Sequence, residues 1–303
     1  MKKNDSGSKA RNLIGHVANW LNPGRLIWAV GMTFFLTGIL FPFFWMLSTS
    51  FKSYTEISGG SPTYLPSGFQ LDAFMELFNP ASTPFWNFGQ NLLNSLRVAV
   101  PTAIIAVILS ILGAYAIARL RFPGKEFFLN GVLLIYLFPS VLLVIPLFAM
   151  LAQLGGTFGF SAQDNLWVLT LTYLSRTLPV ATYMLTNYFR SIPSAIEEQG
   201  MVDGASRLEV IRYITIPLSI PSIVTIATYA FMIAWNEFLY ALVFLNSRGK
   251  FTVPIQIKTI FGAPTPRPNV VMAASLITTI PIVILYLSIQ KYLQEGLTAG
   301  ATD

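Results

Sequence analysis

Residues 191–221, SIPSAIEEQGMVDGASRLEVIRYITIPLSIP, form a polar stretch between two long apolar runs. Two pairs of residues in it have the spacing of a capping box, which marks the start of a helix: Ser194 with Glu197, and Ser206 with Glu209. Gly204 lies between the pairs, where a first helix can end, and Pro217 and Pro221 are expected to end the second helix. We therefore predict a short helix, a glycine turn and a second short helix, in a loop that another protein grips.

The composition of the chain predicts a membrane protein without a large soluble domain. Of its 303 residues, 54% are hydrophobic and only 11% are charged, whereas a soluble protein averages roughly 25% charged residues. A helix that crosses the bilayer needs about 20 apolar residues, and six segments meet that need: 27–49, 98–118, 127–151, 166–189, 218–245 and 270–289. The predicted fold class is an all-α polytopic membrane protein with six transmembrane helices and a helix-turn-helix in its polar loop; the family resemblance described below implies that this is a cytoplasmic coupling loop.

The distribution of basic residues predicts the orientation of the chain. Several precede the first span, which places the N-terminus in the cytoplasm by the positive-inside rule: Lys2, Lys3, Lys9, Arg11 and Arg25. Six crossings return the C-terminus to the same side, although four basic residues of the last external loop run against the rule: Arg248, Lys250, Lys258 and Arg267. The predicted organisation is a cytoplasmic segment 1–26, a transmembrane domain 27–290 with the coupling loop at 191–217, and a cytoplasmic tail 291–303.

The long external segment 51–91 contains many prolines and aromatic residues, which predicts an ordered cap at the membrane interface. Residues 71–78 within it have the pattern of a short amphipathic helix. The cap is interpreted either as a lipid anchor or as a docking surface for an external binding protein. The net charge of +6 comes mostly from basic residues beside the spans, where membrane lipid is the expected partner and no nucleic acid is needed.

The chain lacks the motifs that most enzymes require. It contains no G-x-x-x-x-G-K-[ST] phosphate loop, so it is not expected to hydrolyse ATP itself. It contains no G-x-S-x-G nucleophile motif either. The single histidine, His16, precedes the first span and there is no cysteine, which excludes a histidine- or thiolate-based site. We predict no catalytic residue, no metal site and no bound cofactor on this chain, and a membrane-embedded enzyme is the weakest hypothesis.

Two ionisable residues, Arg176 and Glu237, lie inside predicted spans. A charge at the bilayer centre costs at least about 2.5–3.5 kcal/mol, so such residues usually face a partner or a cavity. One hypothesis is that they form an ion pair that joins two helices. The other is that one or both face a solute path, in which three neighbours of Glu237 supply the hydrogen bonds and aromatic faces that suit a sugar: Trp235, Asn236 and Tyr240.

The polar loop resembles the EAA loop of bacterial ABC importer permeases. Residues 197–206, E-E-Q-G-M-V-D-G-A-S, stand where that family has the pattern E-A-A-x-x-x-D-G-A. The match departs at Glu198 and Gln199, where two alanines are usual. By this resemblance, the residues that couple the chain to an ATPase are Glu197, Glu198, Asp203, Gly204, Ala205, Ser206, Ile214 and Pro217.

Four further motifs resemble the sugar-importer branch of that family, the maltose-permease-like inner-membrane subunits: SFKSYTEI at 50–57, NSLRVAVPTAIIAVILSILGAYAIARLRFPGK at 94–125, WNEFLYALVF at 235–244 and QKYLQEGLTAGA at 290–301. The resemblance implies a permease subunit of an ATP-driven importer for a sugar or related polyol, in the bacterial cytoplasmic membrane. The partners it implies are a second homologous permease, an ATPase subunit dimer that binds ATP and Mg, and an extracytoplasmic solute-binding protein.

Two alternative functions remain open at this point. Arg176 could recognise the anionic group of a phosphorylated solute, such as a glycerol or sugar phosphate, within the same kind of importer. Glu237 could instead serve an ion-coupled secondary transporter. A secondary transporter needs no ATPase partner and runs on an ion gradient, which distinguishes it from an ATP-driven importer.

Overall fold

Helices make up all of the regular secondary structure in the described part of the chain. This computed structural model describes residues 23–60, 63–79, 87–265 and 267–299. The helices are α1 Pro23–Ser50, α2 Tyr54–Ser58, α3 Asp72–Phe78, α4 Phe88–Arg119, α5 Lys125–Leu137, α6 Ser140–Phe158, α7 Leu166–Ser191, α8 Ser194–Val202, α9 Arg207–Leu218, α10 Ile220–Trp235, α11 Leu239–Phe244, α12 Val253–Phe261 and α13 Pro268–Ala299. The predicted all-α membrane fold is confirmed. Most of the predicted N-terminal segment, with Lys2, Lys3, Lys9 and Arg11, and residues 300–303 of the predicted tail lie outside the described residues.

The predicted count of six spans is not confirmed. Among the described residues, four helices are long and apolar enough to cross a membrane, namely α1, α4, α6 and the part of α13 at Pro268–Lys291. The bent pair α9 and α10 adds a fifth if the two helices cross as one span. The predicted span 127–151 is divided into α5 and α6 because Pro139 lies between them, where it cannot donate a helical hydrogen bond. The predicted span 166–189 forms the continuous helix α7, which is too polar to meet the same criterion.

The core of the bundle is formed by α4, α7 and α10, which pack along one another. Small buried residues at their contacts let the backbones approach closely, as in other membrane bundles: Ala103, Ala106, Ala114, Ala181 and Ala230. Near the N-terminal end of α4, larger buried side chains from α7, α10 and α11 fill the core: Leu169, Tyr173, Trp235, Tyr240 and Phe244. This core holds α7 between its neighbours, which explains why a relatively polar helix is stable there.

Helix α1 lies on the outside of the bundle and packs against α13. Its aromatic and aliphatic side chains are exposed along most of its length, and its buried residues are confined to its last turn: Ser48, Thr49 and Ser50. A helix that is apolar on all sides and exposed in an isolated chain is typical of a surface that faces lipid or another subunit.

Part of the predicted external cap is an ordered layer over the ends of the bundle helices. The predicted amphipathic helix 71–78 is confirmed as α3, which buries Ala73 and Leu77 against α4, α12 and α13. An ion pair between Glu76 and Arg267, at 2.6 Å, joins α3 to the start of α13. Residues 80–86 of the predicted cap lie outside the described residues.

Candidate functional site

The polar loop folds as two helices joined by a tight turn, as the sequence predicts. α8 ends at Val202 with Asp203 as its C-cap, and Gly204 follows with φ +95°, in the left-handed region that favours glycine. The N–H groups of Asp203, Gly204 and Ala205 donate to carbonyls of the last turn of α8 at 3.0–3.1 Å. These bonds satisfy carbonyl groups that a helix end would otherwise leave free. The predicted glycine turn is confirmed.

The second predicted capping box, Ser206 with Glu209, is confirmed. The N–H of Glu209 donates to Ser206 Oγ at 3.4 Å, and the N–H of Ser206 donates to Glu209 Oε2 at 2.7 Å. Hydrogen bonds from the Ser206 hydroxyl and then from its N–H hold the pKa of Glu209 below its ordinary value. The capping box therefore fixes the start of α9 immediately after the glycine turn.

The first predicted capping box is wrong, because Ser194 lies inside α8 and its side chain caps nothing. Pro193 precedes α8 at the N-cap position. The carboxylate of Glu197 points into the bundle, where the residue is only 3% exposed. There Oε2 accepts a hydrogen bond from Arg119 Nε at 3.0 Å and Oε1 accepts one from Thr215 Oγ1 at 3.0 Å. The carboxylate therefore pairs with a cation and a hydroxyl in place of the backbone N–H that a capping box would offer.

Arg119, the last residue of α4, joins the loop to the bundle. Its Nη2 also donates to the Ile192 carbonyl, which lies just before α8, at 2.8 Å. The side chains of Arg119 and Glu197 are 12% and 4% exposed, so this is a nearly buried ion pair. We call Arg119, Glu197, Thr215 and the Ile192 carbonyl the Glu197 clamp. The sequence-based prediction did not include Arg119. The one feature of the sequence that could have pointed to it is that Arg119 is the first charged residue after the apolar run of α4.

Close packing between α8 and α9 depends on Gly200. A Cβ atom added at Gly200 would lie 2.5 Å from Ile214 Cδ1. The predicted coupling residue Ile214 therefore helps to hold α9 against α8, because its side chain packs directly on Gly200. Gly200 was not among the predicted residues, and it allows the two short helices to form one rigid unit.

Pro217 does not end the second helix, contrary to the prediction. α9 continues through a π-helical turn at Ile211–Thr215 to Leu218, and the helix axis then turns by 82° into α10. The bend lies at the buried Ser219, whose N–H and hydroxyl both donate to the Thr215 carbonyl, at 3.1 and 2.7 Å. Pro221 follows in the first turn of α10, where a missing N–H is tolerated. The bend separates the polar loop from the bundle helix that continues it.

The remaining predicted coupling residues lie on the outer surface of the loop. Four of them are exposed, namely Glu198, Asp203, Ser206 and Pro217, and Ala205 is half-buried. Large apolar side chains are exposed on the same loop: Val202, Leu208 and Tyr213, at 84%, 72% and 66%. The outer side of the loop thus exposes large apolar side chains among charged ones, while its inner side is held by the Glu197 clamp.

Arg176 and Glu237 form an ion pair inside the bundle. Arg176 Nη1 lies 3.1 Å from Glu237 Oε1, with side chains that are 33% and 2% exposed. The second oxygen, Oε2, accepts hydrogen bonds from the N–H groups of Tyr240 and Ala241 at 2.9 and 3.3 Å. These N–H groups are free because the chain breaks between α10 and α11 at residues 236–238. Both oxygens of Glu237 are therefore engaged.

The other residues predicted to line a solute path lie around this pair but differ in exposure. Trp235 and Tyr240 are each 1% exposed, and Trp235 stacks on Phe231 with ring centroids 5.5 Å apart. The Arg176 guanidinium lies 6.0 Å from the Tyr240 ring centroid. Asn236 is exposed and its amide donates to the Met232 carbonyl at 2.9 Å. Of these residues, Arg176 is partly exposed and Asn236 is exposed in this conformation. That any of them contacts a solute stays a prediction.

The described ranges contain no group of three or more His, Cys, Asp or Glu side chains that could hold a metal ion. The polar side chains of the loop and those around Arg176 and Glu237 are held by ion pairs and by hydrogen bonds at helix ends. The loop exposes apolar side chains on its outer side, and the Arg176–Glu237 pair joins α7 to the break between α10 and α11.

Known proteins of one transport family are similar to this chain. Residues 106–298 match the family model described as "Binding-protein-dependent transport system inner membrane component". The chain is 41% identical over 276 residues to the inner membrane ABC transporter permease protein YcjP of Escherichia coli (strain K12), covering 91% of this chain and 95% of that one. It is 34% identical over 279 residues to the trehalose transport system permease protein SugB of Mycobacterium tuberculosis (strain CDC 1551 / Oshkosh), covering 90% and 96%.

A solved structure has the same fold. It is a chain of a bacterial ABC transporter involved in the import of the acidic polysaccharide alginate, with a TM-score of 0.73 and 22% identity, covering 96% of this chain and 99% of that one. At that identity the likeness concerns the fold. The family model covers more than half of the chain, and the chain belongs to the family of inner-membrane components of binding-protein-dependent transport systems.

Proposed function

We propose that the chain is the permease subunit of an ATP-driven importer for a saccharide or related polyol in the bacterial cytoplasmic membrane. The observation that carries the proposal is a polar loop with an exposed apolar surface, anchored to the bundle by the buried Glu197 clamp. The saccharide class is supported by relatives named as permeases for trehalose, for trehalose and maltose, and for diacetylchitobiose. A solute-binding protein would deliver the solute, and a second homologous permease would complete the path.

The loop would receive an ATPase subunit on its outer surface. Val202 and Leu208 suit apolar contacts with such a partner, because both large apolar side chains are exposed on this loop. Two ATPase subunits would carry ATP and Mg, one gripping this loop and the other gripping the second permease. When they close, force on α8 passes through Arg119 to α4, and force on α9 passes across the 82° bend to α10.

The orientation we propose has both termini in the cytoplasm. Its support is the set of basic residues at the loop end of the bundle, which the positive-inside rule assigns to the cytoplasmic face: Arg119, Arg121, Lys125, Arg190, Arg207 and Arg212. The loop, which follows α7, lies on that same side through the contact of Arg119 with Glu197.

The test is uptake of labelled trehalose and maltose by the chain reconstituted with its ATPase subunits, second permease and binding protein. We expect uptake to require ATP and the binding protein, and the ATPase subunits to co-purify with the chain. Uptake that continues without ATP on a proton or sodium gradient would instead establish the ion-coupled alternative.

Gly204→Val should strongly reduce uptake without affecting the amount of chain in the membrane. No atom lies within 4 Å of a Cβ built at Gly204, so the whole effect comes from the backbone at φ +95°. A β-branched residue is disfavoured there by about 1–2 kcal/mol or more. The matched control is Gly204→Asn, since asparagine adopts left-handed conformations more readily, and it should retain most of the uptake. Full uptake in Gly204→Val would refute the role of the turn in coupling.

A further inference from the structure

A cavity of about 630 Å³ lies between the outer part of α4 and the start of α7, at the end of α4 opposite the Glu197 clamp. Two cationic side chains, Arg97 and Lys250, line it. The lining also contains the ring of Trp167 and the amide groups of Gln163 and Asn165. Its volume is within the range of sites that bind small molecules. We call it the outer cavity.

The acidic residue of the outer cavity, Asp164, is already engaged by the protein. Its Oδ1 accepts hydrogen bonds from the N–H groups of Asn246 and Ser247, each at 2.8 Å, and its Oδ2 accepts one from the Ser247 hydroxyl at 2.6 Å. Burial raises the pKa of Asp164, but these hydrogen bonds and the charge of Lys250 outweigh it and hold the pKa below its ordinary value. Asp164 is therefore an anion whose oxygens serve to fix the loop after α11.

Arg97 leaves the outer cavity with an uncompensated positive charge. It is exposed, and within the ranges that the structure describes it makes no ion pair. It lies about 14 Å along α4 from the first residue, at a rise of about 1.5 Å per residue. Because Arg97 is exposed and lines the cavity, its charge faces water or an anionic group there. The sequence-based prediction missed Arg97 because the span was expected to begin at residue 98.

The start of α7 adds to this positive field. The cavity-lining residues Asn165, Leu166 and Trp167 lie at the N-terminus of that helix, whose dipole favours an anion nearby. Asn165 Oδ1 accepts hydrogen bonds from the N–H groups of Trp167 and Val168 at 3.0 and 3.3 Å, which fixes the helix start. The Trp167 ring is 65% exposed and can cover the apolar face of a sugar ring.

We infer that the outer cavity binds a saccharide that carries a carboxylate or phosphate group, with Arg97 and Lys250 holding the anionic group. Arginine pairs with both kinds of group through two parallel hydrogen bonds. Trp167, which lines the cavity, is followed along α7 by the exposed residues Leu171 and Ser175 at four-residue intervals, so one side of α7 is uncovered from the cavity to the turn that carries Arg176. This inference rests on the proposed function, because it takes the imported solute as the ligand.

The test compares glucose, glucuronate and glucose 6-phosphate as probes of the complete transporter in nanodiscs of phosphatidylcholine, by ligand-observed NMR. We expect the two anionic probes to bind about tenfold or more tightly than glucose, in line with charge-assisted hydrogen bonds. Arg97→Gln and Lys250→Gln should each reduce that preference about tenfold. Lys258→Gln removes an exposed lysine of α12 outside the cavity and should leave the preference unchanged.

Equal affinities for the three probes, or a preference that survives both cavity variants, would overturn the inference. A second arm uses nanodiscs that contain phosphatidylglycerol. If phosphatidylglycerol abolishes the binding of glucuronate, and this effect of the lipid requires Arg97, then the anionic group in the cavity belongs to a lipid and the saccharide assignment is wrong. The proposed function is judged separately by ATP-dependent uptake in the wild-type transporter of either trehalose or glucuronate, which can succeed while the anion preference fails.

Discussion

Arg119→Met will abolish ATP-dependent uptake and lower the melting temperature of the complex in detergent. The change leaves Glu197, which is 3% exposed, as a buried anion without its cationic partner. Removing one member of a buried ion pair costs about 3–5 kcal/mol. It also removes the hydrogen bond from Arg119 to the Ile192 carbonyl, so α8 is no longer fixed to α4. Uptake, ATPase co-purification and thermal unfolding are the three measurements.

The matched control for this variant is Arg190→Met. Arg190 pairs with Glu126 at 2.6 Å on the same side of the protein, but the two side chains are 36% and 59% exposed. Exposed pairs contribute about 0–1 kcal/mol, so this variant should be close to wild type. The double variant Arg119→Met with Glu197→Gln should recover part of the stability, since no charge is then stranded, but not the uptake. Equal losses in the two arginine variants would contradict the role of the clamp.

A double-mutant cycle on Arg176 and Glu237 should reveal an energetic pair with unequal single effects. Arg176→Met strands a carboxylate that is 2% exposed, whereas Glu237→Gln leaves an arginine that is 33% exposed and reaches water. The loss of stability should therefore approach about 3–5 kcal/mol for Arg176→Met and be clearly smaller for Glu237→Gln. The double variant should lose less than the sum of the two. Thermal unfolding in detergent and uptake are measured on all four proteins.

The outcomes of this cycle separate structural from functional roles. Losses that simply add would exclude the pair as an energetic unit. Stability that recovers in the double variant without uptake would show that the charges also serve the solute path. Glu76→Gln is the control, because it leaves Arg267, which lies outside the bundle core with 42% of its side chain exposed and can reach water. It should lower stability by about 1 kcal/mol or less.

Local patterns in the sequence were sufficient to predict the loop and the apolar bundle. The Ser206–Glu209 spacing, the glycine at position 204 and the amphipathic helix 71–78 each depend on neighbours within about one or two helical turns. The ion pair of Arg176 with Glu237 was one of two hypotheses, and it followed from the cost of charges at membrane depth. These features depend on local chemistry or on a single energetic rule.

Features that depend on which helices are neighbours were not predictable in this way. Arg119 and Glu197 are far apart in the chain, and no periodicity states that the end of α4 lies beside α8. Because Glu197 contacts Arg119, its carboxylate does not form the capping-box hydrogen bond with Ser194 that the sequence predicted. Likewise, the bend at Ser219 rather than Pro217 depends on hydrogen bonds to the Thr215 carbonyl, and proline alone does not define a helix end.

The ion pair inside the bundle also affects how the protein is made. Arg176 leaves the ribosome 61 residues before Glu237, so α7 emerges while its charge has no partner. α7 is also too polar to meet the criterion for an independent span. We therefore expect stable integration of α7 to wait for α10 and α11, so that this part of the chain enters the membrane as a group of helices and not one helix at a time.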